Sequence, residues 1–174
     1  MPSFVREIER DLSLASPRGK SYTLAMPVEI LRKKAGQRVS NRALKRIAVK
    51  VLELVGQSQA ELSVALVNNR EIQRLNAKYR QKDYPTDVLS FSASNGLPIS
   101  VRLLGDVVIS VEKAQEQAKE RGRTLNEETL TLLIHGILHL LGHDHERSAK
   151  DARVMGRLEK KIYRTLCEQG ILRV

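Results

Sequence analysis

The sequence predicts a single α+β domain of mixed α/β layers, a small sheet of about four strands packed with about five helices. Three observations lead there. The chain has 174 residues and a mass of 19.6 kDa, the size of one ordinary domain. It is 41% hydrophobic and 29% charged, enough apolar residue to bury a core and too much for a disordered chain. Apolar residues recur at helical spacing in some stretches and alternate in others, and the two kinds of stretch are interleaved along the chain. No internal repeat or low-complexity run interrupts them.

The elements follow in order. Residues 1–20 read as an N-terminal extension of unknown role, and 21–174 as the domain. Gly19-Lys20-Ser21 imitates the end of a phosphate-binding loop, but that motif needs a glycine where Leu14 stands, so it is rejected. Tyr22–Leu31 reads as a first strand, kept at a sheet edge by Pro27. Ser40 caps a helix to about Val55, whose stripe is Leu44, Ile47, Ala48, Val51, Leu52 and Val55. Leu62, Val64 and Leu66 alternate as a strand. A short helix follows Asn68 or Asn69, burying Ile72, Leu75 and Tyr79. Asp87–Ser92 and Leu104–Ser110 are strands joined by a loop through Asn95-Gly96-Leu97-Pro98. Val111–Arg121 is helical and stops at Gly122. Thr124 and Glu127 form a capping box for a central helix, Leu125–Leu141, which Gly142 ends. A last helix spans about Ala149–Gln169, with Val154, Leu158, Ile162 and Leu166 inward.

Composition excludes several function classes. Aromatic residues are 3% with no Trp, which disfavours rows of aromatic side chains stacking on bases. A single cysteine, Cys167, excludes an internal disulfide and a multi-Cys zinc ribbon; it reads as packing and suits a reducing compartment. No uninterrupted apolar run is long enough to span a membrane, and acidic residues near the start disfavour a leader peptide. The expectation is a cytoplasmic protein without membrane partners. The formal charge of +10 is concentrated at the ends: residues 1–50 hold 12 basic and 4 acidic residues, whereas the middle is near neutral. Such an excess solvates the surface and also attracts polyanions, nucleic acid among them.

All four histidines fall within eleven residues, His135, His139, His143 and His145. On a helix, residues four apart lie about 40° from one another, so His135 and His139 aim their rings at one point. Gly142 permits the left-handed turn that brings His145 back to the same point. Three imidazoles with an open position are the pattern of a catalytic zinc site at the end of a central helix. Zinc, one ion per chain, is the default, and nickel, copper and iron are also compatible. His143 is left outside the ligand set, as a hydrogen-bond donor behind the ligands, an alternative ligand or a simply exposed residue. Asp144 either orients an imidazole or caps the turn.

The spacing matches the long metzincin pattern, with one residue missing. Gly136 stands where those peptidases carry the glutamate that takes the proton, so a metallopeptidase is the second choice. A bound metal still lowers the pKa of its water to about 7, or acts as a Lewis acid on a phosphodiester.

Three blocks then carry a resemblance. They are Leu75 through Phe91 (with Arg80, Asp83, Pro85 and Asp87), Leu104 through Ser110, and His135 through His145. In this order they resemble the YbeY-type endoribonucleases, the bacterial rRNA maturation factors. The resemblance implies a zinc-dependent, single-strand-specific endoribonuclease. It would act in 16S rRNA 3′-end maturation and ribosome quality control, with rRNA and the small ribosomal subunit as partners. By motif match His135, His139 and His145 take the metal-ligand positions, and Arg80 that of the functional arginine beside the metal cleft. Chemically Arg80 would clamp a phosphate. Asp106 is either an orienting group, a general base or a turn-forming residue. Ser90 and Ser110 either contact RNA or serve the sheet. A third reading is a non-catalytic ribosome-binding factor with a structural zinc, which would unfold when the metal is removed.

Overall fold

The structure is a computed structural model, described here for residues 28–32, 38–93, 103–143 and 148–172. In chain order the elements are β1 (Val28–Arg32), α1 (Asn41–Leu54), β2 (Glu61–Val67), α2 (Asn69–Arg80), β3 (Val88–Ser92), β4 (Leu103–Ser110), α3 (Val111–Glu120), α4 (Leu125–Leu140) and α5 (Ala149–Glu168). The expected α+β domain, four strands with five helices, is what the described residues form. The 1–20 extension, most of the expected first strand including Pro27, and the Asn95–Pro98 loop lie outside them.

The sheet order is β1-β2-β4-β3. β1, β2 and β4 run parallel, and β3 returns antiparallel along β4 at the edge. Parallel neighbours need a crossover, which α1 provides between β1 and β2. Strand alternation sorts the side chains into two cores. Leu62, Val64, Leu66, Val107 and Ile109 face α1 and α4 in the larger one, while Ala65, Val67, Val108 and Leu89 meet Ile72 and Leu75 of α2 in the smaller. The sheet therefore separates α2 from α4.

Each helix begins on a cap that satisfies otherwise orphaned backbone donors. Ser40 accepts from the Ala43 N–H, and Thr124 with Glu127 forms the reciprocal box expected from the sequence. Asn68 with Glu71 forms another, at a point where the sequence alone leaves Asn68 and Asn69 equivalent. Glu128 enters the first turn of α4 fully buried, and its charge is met by Arg121 and Arg123 from the preceding turn.

Two burial expectations need correction. Tyr79 is exposed, not core: α2 buries Glu71, Ile72, Leu75 and Asn76, and the Tyr79 ring rests edge-on against Phe91 at 5.5 Å. In α5 the buried side is Met155, Ile162 and Leu166, with Val154 and Leu158 only half-buried. That helix packs on α4, which shifts its inward side by about one residue position. Cys167 is half-buried against the larger core, as expected of a packing residue.

Candidate metal centre

α4 is buried nearly all round, with ten of its sixteen residues inaccessible, so its side chains are held by both sheet and helices. His135 and His139 are half-buried exceptions near its C-terminal end. Their Nε2 atoms lie 3.1 Å apart, with ring planes at 70°. Two ligands on a tetrahedral ion with bonds of about 2.0–2.1 Å would stand about 3.3 Å apart. The pair therefore fits a shared cation, both rings offering the same nitrogen.

The outer nitrogen of His135 is also committed. Its Nδ1–H donates to Glu159 Oε1 of α5 at 2.6 Å, because an ionised carboxylate can only accept. This fixes the ring's rotation and leaves the Nε2 lone pair directed into the site. Sequence reasoning missed Glu159. The available signal was a carboxylate within one turn of Met155 and Ile162, on the side of an amphipathic helix that otherwise turns to the core.

The helix end behaves as the sequence required. Gly142 adopts φ +86°, its N–H donates to His139 O, and the His143 N–H donates to Leu138 O. These paired bonds are a Schellman termination, which reverses the chain just after the second histidine. Asp144 and the third predicted ligand, His145, lie outside the described residues. Among the described residues no group of three His, Cys, Asp or Glu side chains is arranged to hold a metal. His143 has a backbone role in ending the helix.

Gly136 explains itself in packing terms. A β-carbon there would lie 2.7 Å from Val107 Cγ1 and 3.2 Å from Ser90 Oγ. The position faces the sheet at near backbone contact, and Ser90 Oγ donates to the Gly136 carbonyl at 3.1 Å. A glutamate has no room at this position, so the proton-accepting carboxylate of the metzincin peptidases has no counterpart on α4. The alternation of β4 likewise puts Asp106 on the face of Val108, with α2 and away from the histidines. It is 3% exposed. Ser90 and Ser110 both serve the fold, Ser110 capping α3 and bonding Asn69 at 2.6 Å.

Arg80 is exposed at the last residue of α2, on the other side of the sheet from the histidines. The two helices nevertheless end at the same place. Tyr79 reaches Phe91, and a β-carbon on Gly105 would lie 3.0 Å from Leu140 Cδ2. Phe91 pairs with Asp106 and Ser92 with Gly105, so α2 and α4 finish over adjacent rungs of the edge hairpin from opposite faces.

Comparison with known proteins gives a consistent result. The family model described as endoribonuclease YbeY matches residues 29–167. A YbeY endoribonuclease of Sulfurihydrogenibium sp. is 47% identical over 131 residues, 75% of this chain and 86% of the relative. That of Persephonella marina is 43% identical over 139 residues, 79% of this chain and 91% of the relative. The solution structure of a Thermotoga maritima protein matches with a TM-score of 0.55 and 33% identity, over 78% of this chain and 85% of that one. The matched region contains Arg80, the whole histidine cluster and Glu159, and the chain belongs to the YbeY endoribonuclease family.

Proposed function

We propose that this protein is a metal-dependent endoribonuclease that cuts single-stranded RNA, acting on the 16S rRNA 3′ end and in ribosome quality control in the cytoplasm. The observation that carries the chemistry is the pair of Nε2 atoms at 3.1 Å, one of them aimed by Glu159, on a buried helix of a YbeY family member. His135, His139 and His145 would hold one zinc ion, which when bound supplies positive charge against the phosphoryl oxygens of the scissile bond. Glu159 keeps the Nδ1 proton on His135, so that the ring presents Nε2 without rotating. Arg80, exposed at the end of α2, would hold a phosphate oxygen by paired N–H donors and seat the backbone across the cleft. The substrate is expected to arrive on the small ribosomal subunit, where a single-stranded 3′ end is accessible.

The larger core closes around Leu133, Ile137 and Leu138 without help from the histidine rings, which favours a catalytic ion over one that the fold needs. The test compares wild type with His139→Ala for bound zinc, folding and cleavage of a single-stranded RNA covering the 16S 3′ end. Loss of zinc and of cleavage from a still-folded variant is the expected result. A variant that loses zinc and cuts unchanged would sink the reading. Unfolding on metal removal would instead favour the ribosome-binding factor with a structural zinc.

A further inference from the structure

The outward side of α5 carries a charge pattern that the metal centre does not use. Lys150, Arg153, Arg157, Lys160, Lys161 and Arg164 are all exposed. At about 100° per residue they fall within an arc of about 100°, nearly opposite the buried Met155, Ile162 and Leu166, and they run for about 21 Å. None is ion-paired to another described residue. Two cations on other helices are paired, Lys50 with Glu53 and Lys113 with Glu116. Within the α5 row, from Lys150 to Arg164, the cations at i+3 and i+4 face one another as like charges, which repel. Of the acidic residues of α5, Asp151 is tied to the Ser148 cap, Glu159 turns inward to His135, and Glu168 stands one turn beyond Arg164 at the far end of the row.

We infer that this face of α5 is a docking ridge for the phosphate backbone of single-stranded RNA, lying beside the cleft and outside it. Charge complementarity names the occupant. A row of six point charges and planar guanidiniums, with no aromatic side chain among them, attracts a polyanion without reading its bases. A membrane surface is a poorer fit, because the apolar side of α5 is committed to the core and has nothing to insert. The position is suited to the task. Glu159, on the inner side of the same helix, touches a ligand histidine, so RNA held on the outer side runs about one helix diameter, roughly 10–12 Å, from the carboxylate that holds this histidine. The inference rests on the RNA reading above for its substrate, but its test does not depend on cleavage.

The test measures binding of a non-cleavable 2′-O-methyl oligouridine of about 20 nucleotides to the full-length protein across a salt series. Arg153→Gln, Arg157→Gln and Arg164→Gln are combined in one variant, and the three Arg→Lys changes in a second. A control variant loses the same charge at Arg70, Arg74 and Lys119. The Gln variant is expected to bind at least tenfold more weakly at about 0.1 M salt, with a log–log salt slope smaller by about 2, near 0.7 for each phosphate that is no longer neutralised. The Lys variant and the control should retain affinity, and the Gln variant should melt no lower than wild type. Equal weakening in the control, or an unchanged salt slope in the Gln variant, would overturn the ridge, as would a requirement for arginine over lysine. A protein that never cuts RNA yet shows the predicted loss of affinity would remove the nuclease reading and leave the ridge standing.

Discussion

Gly136 and Glu159 show how much a single position decides here. With Val107 Cγ1 only 2.7 Å from where an alanine methyl would sit, Gly136→Ala forces the helix off the sheet or the valine off its rotamer. The gain in helix propensity, up to about 1 kcal/mol, does not offset an overpacking cost of about 1–3 kcal/mol. We expect a net loss in urea denaturation, and recovery in Gly136→Ala/Val107→Ala, because the two positions share the clash. An unchanged midpoint for the single variant would show that the contact is slack. Glu159→Ala should weaken zinc about 10–100-fold in a chelator competition, since the His135 ring loses the acceptor that holds it. Glu159→Gln, which can still accept the Nδ1–H, should recover part of that loss. Equal affinity in all three proteins would make Glu159 a bystander. The sequence displayed Gly136 plainly but not its reason, because the valine that demands it comes from a strand 29 positions earlier.

At the scale of elements, caps and ties hold α4 and the edge hairpin in register. Thr124 and Glu127 bond one another's backbone at the start of α4, so Thr124→Ala should cost about 1 kcal/mol without touching zinc binding. Loss of zinc affinity in that variant would mean that the start of the helix controls its far end. Asp87 is the tie between β3 and its neighbours. Its carbonyl accepts from the Ser110 N–H, and its carboxylate accepts from Gln117, Val88 and Thr86. Burial pushes this carboxyl up, and those hydrogen bonds outweigh it, leaving the group below its ordinary value. A depressed folded value means stability that is present above the unfolded pKa and lost as pH falls through the folded one. Asp87→Asn should therefore be less stable than wild type near neutrality, and the gap should narrow once pH drops below the ordinary carboxylate range. A gap constant from neutral pH downward would contradict it. Helix ends were legible in the sequence because their chemistry is local. The tie through Asp87 was not, because Gln117 is 30 residues away.

Over the whole molecule, the sheet divides the labour. The α4 side carries the histidines, and the α2 side carries Asp106, the smaller core and, at the end of its helix, Arg80. Because neither core closes through the histidine rings, the metal-free protein should keep its helical circular dichroism and lose only a few degrees of melting temperature. Collapse to an unfolded chain on chelation would refute that. Among the described residues no helix is long and apolar enough to cross a membrane. The sequence by itself determined the element order, the caps at Ser40 and Thr124, the pairing of His135 with His139 and the left-handed stop at Gly142, since each is set by periodicity or by bonds within one turn. Only the tertiary structure decided that Glu159 orients His135, that Gly136 belongs to the sheet, that Asp106 faces away and that the α5 cations line one open side. Those facts depend on which face of each element meets which neighbour, and that is settled by packing between residues far apart in the chain.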